Sequence, residues 1–144
     1  MDDYKTRLKI CLNSFDDLEH AREDIIDFCH HYSNSDDEVD ILEMAIIEAC
    51  HNAIRYGSKR KNKSLCKLKL YYDNQSIKVI VRNYGRAYEV LEKDSFSIDQ
   101  DFLQYKNGGL GIPLIKSLMD SVEYSRKTNN MNELIIVKKI NNKQ

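Results

Sequence analysis

Hydrophobic positions step along this chain in two rhythms, and the switches between them mark its elements. Leu8, Ile10 and Leu12 alternate with Arg7, Lys9 and Cys11, the period of a strand with one covered face, so residues 5–12 are expected to form the first strand. Ser14 with Asp17 three positions later is a capping-box signal. Phe15, Leu18, Ala21, Ile25, Phe28 and Cys29 then keep a helical period to about His31. A polar break, Tyr32-Ser-Asn-Ser35, leads to a second such signal in Ser35 and Glu38. The helix it opens steps through Val39, Leu42, Ile46, Ala49 and Ala53 to Gly57, a natural stop. Cys66, Leu68, Leu70 and Tyr72, turned by Asp73-Asn-Gln-Ser76 into Ile77, Val79 and Val81, predict a β-hairpin. Residues 84–110 keep no period, and a loop that long inside a compact domain is usually functional or mobile. Gly108-Gly-Leu-Gly111 ends it. Ile112, Leu114, Ile115, Leu118 and Met119 predict a third helix with Pro113 in its first turn, and a last hairpin is expected at about 121–127 and 132–140.

The order is strand, helix, helix, hairpin, long loop, helix, hairpin. Strands joined mainly by hairpins imply an α/β (α+β) two-layer sandwich, its sheet mixed and mostly antiparallel, with about three helices on one face. At 144 residues, without repeat or linker, the chain is expected to be one domain, 1–144. Hydrophobic residues at 42% and charged residues at 31% describe a soluble globular protein, and no apolar run approaches a membrane span. The acidic, polar start Met1-Asp-Asp-Tyr-Lys lacks the order that secretion needs, so a cytoplasmic location is expected. With 22 basic against 23 acidic residues, nothing global suggests a nucleic-acid partner, and the basic stretch Ser58–Ser64 reads as a solvated loop. Cysteines at 11, 29, 50 and 66 form no Cys-x-x-Cys pair and read as reduced core thiols. His30 and His31 at a helix end and His51 on a helix flank offer no better metal site.

Candidate chemistry begins with Glu48 and Asn52. Four residues apart, they share one face of the second helix, flanking its apolar stripe. A carboxylate at the margin of a core is costly without a partner or a task. A metal-bound phosphate would supply the task; an ordinary exposed Glu on an amphipathic helix is the plainer alternative for the pair alone. Asn83-Tyr-Gly85 is either a simple turn after a strand or an amide pointed from the sheet edge at a base, with the glycine allowing close contact. The glycine run 108–111 is either a helix cap or a phosphate cradle at a helix N-terminus.

Taken in order, Glu48-x-x-x-Asn52, Val81-Arg-Asn-x-Gly85 and Gly109-Leu-Gly-Ile-Pro-Leu-Ile-Lys-Ser-Leu-Met-Asp120-Ser-Val-Glu-Tyr124 resemble the N, G1 and G2 boxes of the GHKL ATPase superfamily. Within it, the chain is similar over nearly its whole length to the small anti-sigma factor serine kinases, of histidine-kinase-like ATPase fold. The resemblance implies ATP and Mg²⁺ as cofactors, Asn52 as metal ligand, and Glu48 as general base toward a protein serine. It implies nucleotide contacts from Arg55, Asn83, Gly85, Gly108, Gly109, Leu110 and Gly111, an ATP lid over 86–107, and Lys106 as the residue sensing the γ-phosphate. Its implied partners are a sigma factor, an anti-anti-sigma STAS-domain protein and a second copy of the chain, with no direct nucleic-acid or membrane contact.

Four positions depart from the pattern. Asn83 stands where the family has the Asp that accepts from the adenine amino group; Asn can accept there but can also donate. Ala87 replaces the second glycine of that box, Lys106 an arginine, and the terminal Gly-Thr box is absent around Met131-Asn132-Glu133. Two functions therefore stand open: a serine kinase that sequesters a sigma factor, or a binding module of the same fold with little phosphoryl transfer. A histidine-kinase catalytic domain is disfavoured, because the chain leaves no room for a helical hairpin carrying a phosphoacceptor His.

Overall fold

The strand period sets the sheet and the helix period covers it. The computed structural model describes residues 6–59, 63–88 and 111–141. Among them, in order, are β1 (Thr6–Leu12), α1 (Phe15–Tyr32), α2 (Asp36–Tyr56), β2 (Cys66–Asp73), β3 (Ser76–Tyr84), α3 (Gly111–Leu118), β4 (Ser121–Lys127) and β5 (Met131–Lys139). The five strands form one sheet in the order β1-β2-β3-β5-β4, every neighbour antiparallel. Asn83 thus lies at the end of the central strand and not at a sheet edge, because the last hairpin inserts β5 beside β3.

Alternation decides which residues face the helices. Leu12, Cys66, Asn83, Asn132 and Arg126 pair across the sheet as one row, and Leu68, Val81, Leu134 and Tyr124 occupy the next covered row with Ile10. The buried stripes of α1 (Leu18, Ala21, Ile25, Phe28, Cys29) and α2 (Val39, Leu42, Ile46, Ala49, Ala53) close on these rows and form the core with them. Both capping signals act. Ser14 Oγ accepts from Asp17 N at 3.1 Å, and Ser35 Oγ from Glu38 N at 3.3 Å. The return contacts differ from a simple box. Asp17 accepts from Asn13 N at 2.8 Å, while Glu38 takes Ser33 Oγ at 2.8 Å and Asn141 N at 2.9 Å, tying the end of the last strand to the start of α2.

Gly57 ends α2 with φ −71° and ψ 148°, so no left-handed cap is used there. Its place is fixed by a bridge to Gly85. Cys29, Cys50 and Cys66 are buried as expected. Burial, assisted by Glu43, pushes the Cys29 thiol up to about 12, and a hydrogen bond with Cys66 together with burial raises that of Cys50. Cys11 is the correction: it is exposed, because the alternation that buries Leu12 turns position 11 outward. Among the described residues no group of His, Cys, Asp or Glu is placed to hold a metal ion, and no helix is long and apolar enough to cross a membrane.

The outer face of the sheet is strongly cationic toward β1. Lys9 lies directly opposite Lys69, and Lys67 opposite Arg82. Partial burial, with Arg82, Lys9, Arg7 and Lys67 around it, lowers the pKa of Lys69. Arg82 is offset by Glu133 across the next strand pair at 2.6 Å; like charges directly opposed are destabilising. Lys69→Glu is therefore expected to stabilise the fold by about 0.5–1 kcal/mol at low salt. The gain should shrink in molar salt, where screening shortens to a few ångströms. Urea midpoints for the two chains at both salts check this, and an absent low-salt gain would show that the opposing ammoniums are already relaxed by water.

Candidate active site

Helix α2 carries the first pair. Asn52 is 3% exposed and its Nδ2 has no hydrogen-bond partner, whereas Glu48, one turn earlier, is half-buried. The spacing placed both on the flank of the apolar stripe; the structure moves Asn52 into the core and leaves Glu48 at its margin. An unpaired buried amide donor costs about 1–3 kcal/mol. Arg55, in the last turn, is exposed.

The end of β3 supplies the second group. Asn83 is 1% exposed, and its Nδ2 is likewise without a partner. Its Oδ1 accepts from Tyr88 Oη at 2.7 Å. Gly85 brings this strand end against the α2 C-terminus. A Cβ there would stand 1.9 Å from the Tyr56 carbonyl oxygen, so the glycine's close contact in the structure is with the chain's own backbone. Ser58 N donates to Tyr84 O, Arg86 N to Tyr56 O and Gly85 N to Asn130 O, at 2.7, 3.2 and 2.9 Å. Helix α3 opens at Gly111 and packs against α2, with Ile115 buried. Lys106, Gly108, Gly109 and Leu110 lie outside the described residues, as does most of the span 86–107. Glu48 and Asn52 thus lie along the C-terminal half of α2, and Gly85, two residues past Asn83, holds the end of the central strand against the last residues of that helix, Tyr56 and Gly57. Arg55 lies on the solvent side of the same helix.

Two residues at this junction were not singled out by the sequence. Tyr88, 3% exposed, has its ring between Tyr56 of α2 and Tyr124 of β4, with centroid distances of 5.3 and 5.1 Å. Burial, then neighbouring thiols and phenols, drives its pKa well above the usual tyrosine range. Asn132 faces Asn83 across the β3–β5 pair. Its Oδ1 accepts from Tyr124 Oη and, at 2.9 Å, from Arg126, and its Nδ2 donates to Arg86 O at 2.8 Å. The missing Gly-Thr box marked that position as unusual; nothing in the hydrophobic period marked Tyr88. Beside this junction an open cavity of about 570 Å³ is lined by Tyr84, Arg86, Arg126 and Asn130, among others. Its two guanidiniums suit an anionic group.

The chain belongs to the histidine kinase-like ATPase domain family, whose sequence profile matches residues 13–138. Within that family it is similar to the serine-protein kinases RsbW of Bacillus velezensis (28% identity over 91 residues), Bacillus subtilis (28% over 90) and Staphylococcus aureus (28% over 92). Each match covers 60% of this chain and 56–57% of the relative, so the aligned part spans little more than half the length of those kinases. The fold likeness extends further. A chain of the crystal structure of the SiaB–SiaC complex from Pseudomonas aeruginosa superposes with a TM-score of 0.69 at 14% identity, covering 94% of this chain and 89% of that one.

Proposed function

We propose that this chain is an Mg-ATP-dependent serine-protein kinase that holds a sigma factor and phosphorylates a STAS-domain antagonist of it. Residues 1–144 would act as one ATP-binding domain, cytoplasmic and paired as a homodimer. The similarity to RsbW kinases supports the activity, and the SiaB–SiaC assembly supports a protein partner for this fold. The observation that carries the reading is the orphaned amide of Asn52, a buried donor whose cost a phosphate oxygen would offset.

The donor set fits Mg²⁺. The described residues hold no multi-ligand metal cluster, and Mg²⁺ in phosphoryl-transfer sites takes one or two protein oxygens with the rest from phosphates and water. Asn52 Oδ1 would supply that oxygen. When bound, the ion would offset charge on the phosphates. Asn52 Nδ2 would donate to a phosphate oxygen. Glu48, only half-buried, would accept the proton of an incoming serine as its Oγ bonds to the γ-phosphorus and the bond to ADP breaks. Arg55 would attract the phosphates from the helix's exposed side, Asn83 with Gly85 would face the base, and Gly108, Gly109, Leu110, Gly111 and Lys106 would close on the phosphates.

Asn52→Ala tests this with two readouts. It is expected to weaken Mg-dependent ATP and ADP binding by at least about tenfold in calorimetric titration. Because it removes an unpaired donor, it should leave urea stability equal or higher. Unchanged nucleotide affinity, or a fold destabilised with no effect on binding, would make Asn52 a structural amide. A second reading, a binding module with little phosphoryl transfer, is favoured by one observation: the Asn83 acceptor is already satisfied by the chain itself. Absence of phosphate transfer to any STAS-domain substrate, with partner binding intact, would select it.

A further inference from the structure

Asn83 Oδ1 is the atom that, in the ATP reading above, accepts from the base, and the following inference rests on that reading. A donor already occupies it. Tyr88 Oη lies 2.7 Å away, and the phenol ring fills the slot behind it, 3% exposed, tilted 24° from the plane of Tyr124 and 40° from that of Tyr56. A flat aromatic ring between two aromatic neighbours, presenting one O–H donor to a buried amide oxygen, has the shape and polarity of a purine presenting an amino group. Asn83 Nδ2 stays unpaired beside it, so the phenol satisfies only half of the amide.

We infer that Tyr88 is an internal occupant of the base subsite and that its displacement sets the nucleotide affinity of this chain, while the orientation in which it holds the Asn83 amide favours a base with a donor edge. Adenine offers a donor edge and would replace the phenol bond for bond. Guanine offers a carbonyl at the corresponding edge and would require the Asn83 amide to turn its Nδ2 inward. Among the described residues the backbone holds Tyr88 lightly: its N–H reaches Tyr124 Oη at a long 3.4 Å, and the preceding Ala87 is exposed. The apparent affinity of a site that must first empty is reduced by the fraction of time it stands empty.

The test is Mg-nucleotide titration of the full chain, wild type against Tyr88→Ala and Tyr88→Phe, with ATP, ADP and GTP. Tyr88→Ala is expected to bind adenine nucleotides about tenfold or more tighter than wild type. Tyr88→Phe keeps the ring, guards against a folding defect, and should fall between them. The chain has no Trp, so Tyr88→Trp gives an independent signal: saturating ATP should expel the indole and red-shift its emission. If wild type binds ATP while Tyr88→Ala and Tyr88→Phe bind no tighter and the indole emission is unmoved, Tyr88 is a wall of the pocket; the inference is overturned and the ATP reading survives. Failure of wild type and all three variants to bind at millimolar nucleotide would overturn the ATP reading and this inference with it.

Discussion

Gly85→Ala is expected to cost about 3–5 kcal/mol, a large share of the 5–15 kcal/mol that holds an ordinary domain folded. The added methyl carbon would stand 1.9 Å from the Tyr56 carbonyl oxygen, 2.9 Å from its carbon and 3.0 Å from Gly57 Cα. All three are backbone atoms, so no flexible side chain can yield. Relief requires β3 to part from the end of α2, which strains the bonds from Ser58 N to Tyr84 O and from Arg86 N to Tyr56 O and the bridge between Gly57 and Gly85. Overpacking alone costs typically 1–3 kcal/mol, and each lost backbone bond adds to it. Urea denaturation of Gly85→Ala beside Ala87→Gly, an exposed position two residues on, separates this clash from a general effect of the segment. A midpoint for Gly85→Ala within about 0.5 kcal/mol of wild type would mean that the strand end can hinge away from the helix at little cost.

Glu48→Gln carries the largest expected kinetic effect. The substitution keeps the volume and hydrogen-bonding reach of the side chain but removes its capacity to take a proton. General-base catalysis contributes about 10²–10⁴ in rate, so phosphate transfer to a partner serine should fall by that factor. In the proposed kinase, nucleotide affinity should change less than about threefold, because Asn52 and the base subsite would carry the binding. Radiolabel transfer to a STAS-domain substrate, read with calorimetric ATP binding, gives the two numbers. A loss of binding equal to the loss of rate would assign Glu48 to the metal-phosphate site; retention of full activity would move the general base elsewhere.

Much of the architecture is written in local period. The stripes of α1 and α2, both cap residues and both hairpins follow from spacing, since a residue's burial in a helix or strand is fixed largely by its neighbours three, four or two positions away. The antiparallel sheet follows from the hairpin connections. What spacing misses is long-range placement. Insertion of β5 next to β3 makes Asn83 central and sets Asn132 opposite it, a relation between residues 49 positions apart that neither segment encodes alone. Tyr88 escapes for the same reason. It follows the strand without continuing its period, and its partners Tyr56, Asn83 and Tyr124 come from one helix and two strands. The burial of Asn52 was not legible, because a carboxamide on the edge of a stripe reads as polar until the sheet closes over it. Gly57 and Gly85 were legible as glycines, while their reason, contact with each other, required the third dimension.

Cys11 has a practical consequence. Three of the four thiols are buried, and the fourth projects from the outer face of β1, on the side of the sheet away from the helices and the candidate site. Thiol reagents act on accessible thiolate, so mild maleimide treatment would attach a single probe there without engineering out any other cysteine. Such a probe would sit on the cationic outer face, where it would sense whatever docks against the sheet while leaving the candidate site untouched. Stored without reductant, that same thiol would join two copies through their like-charged faces, a covalent dimer to be distinguished from any functional one.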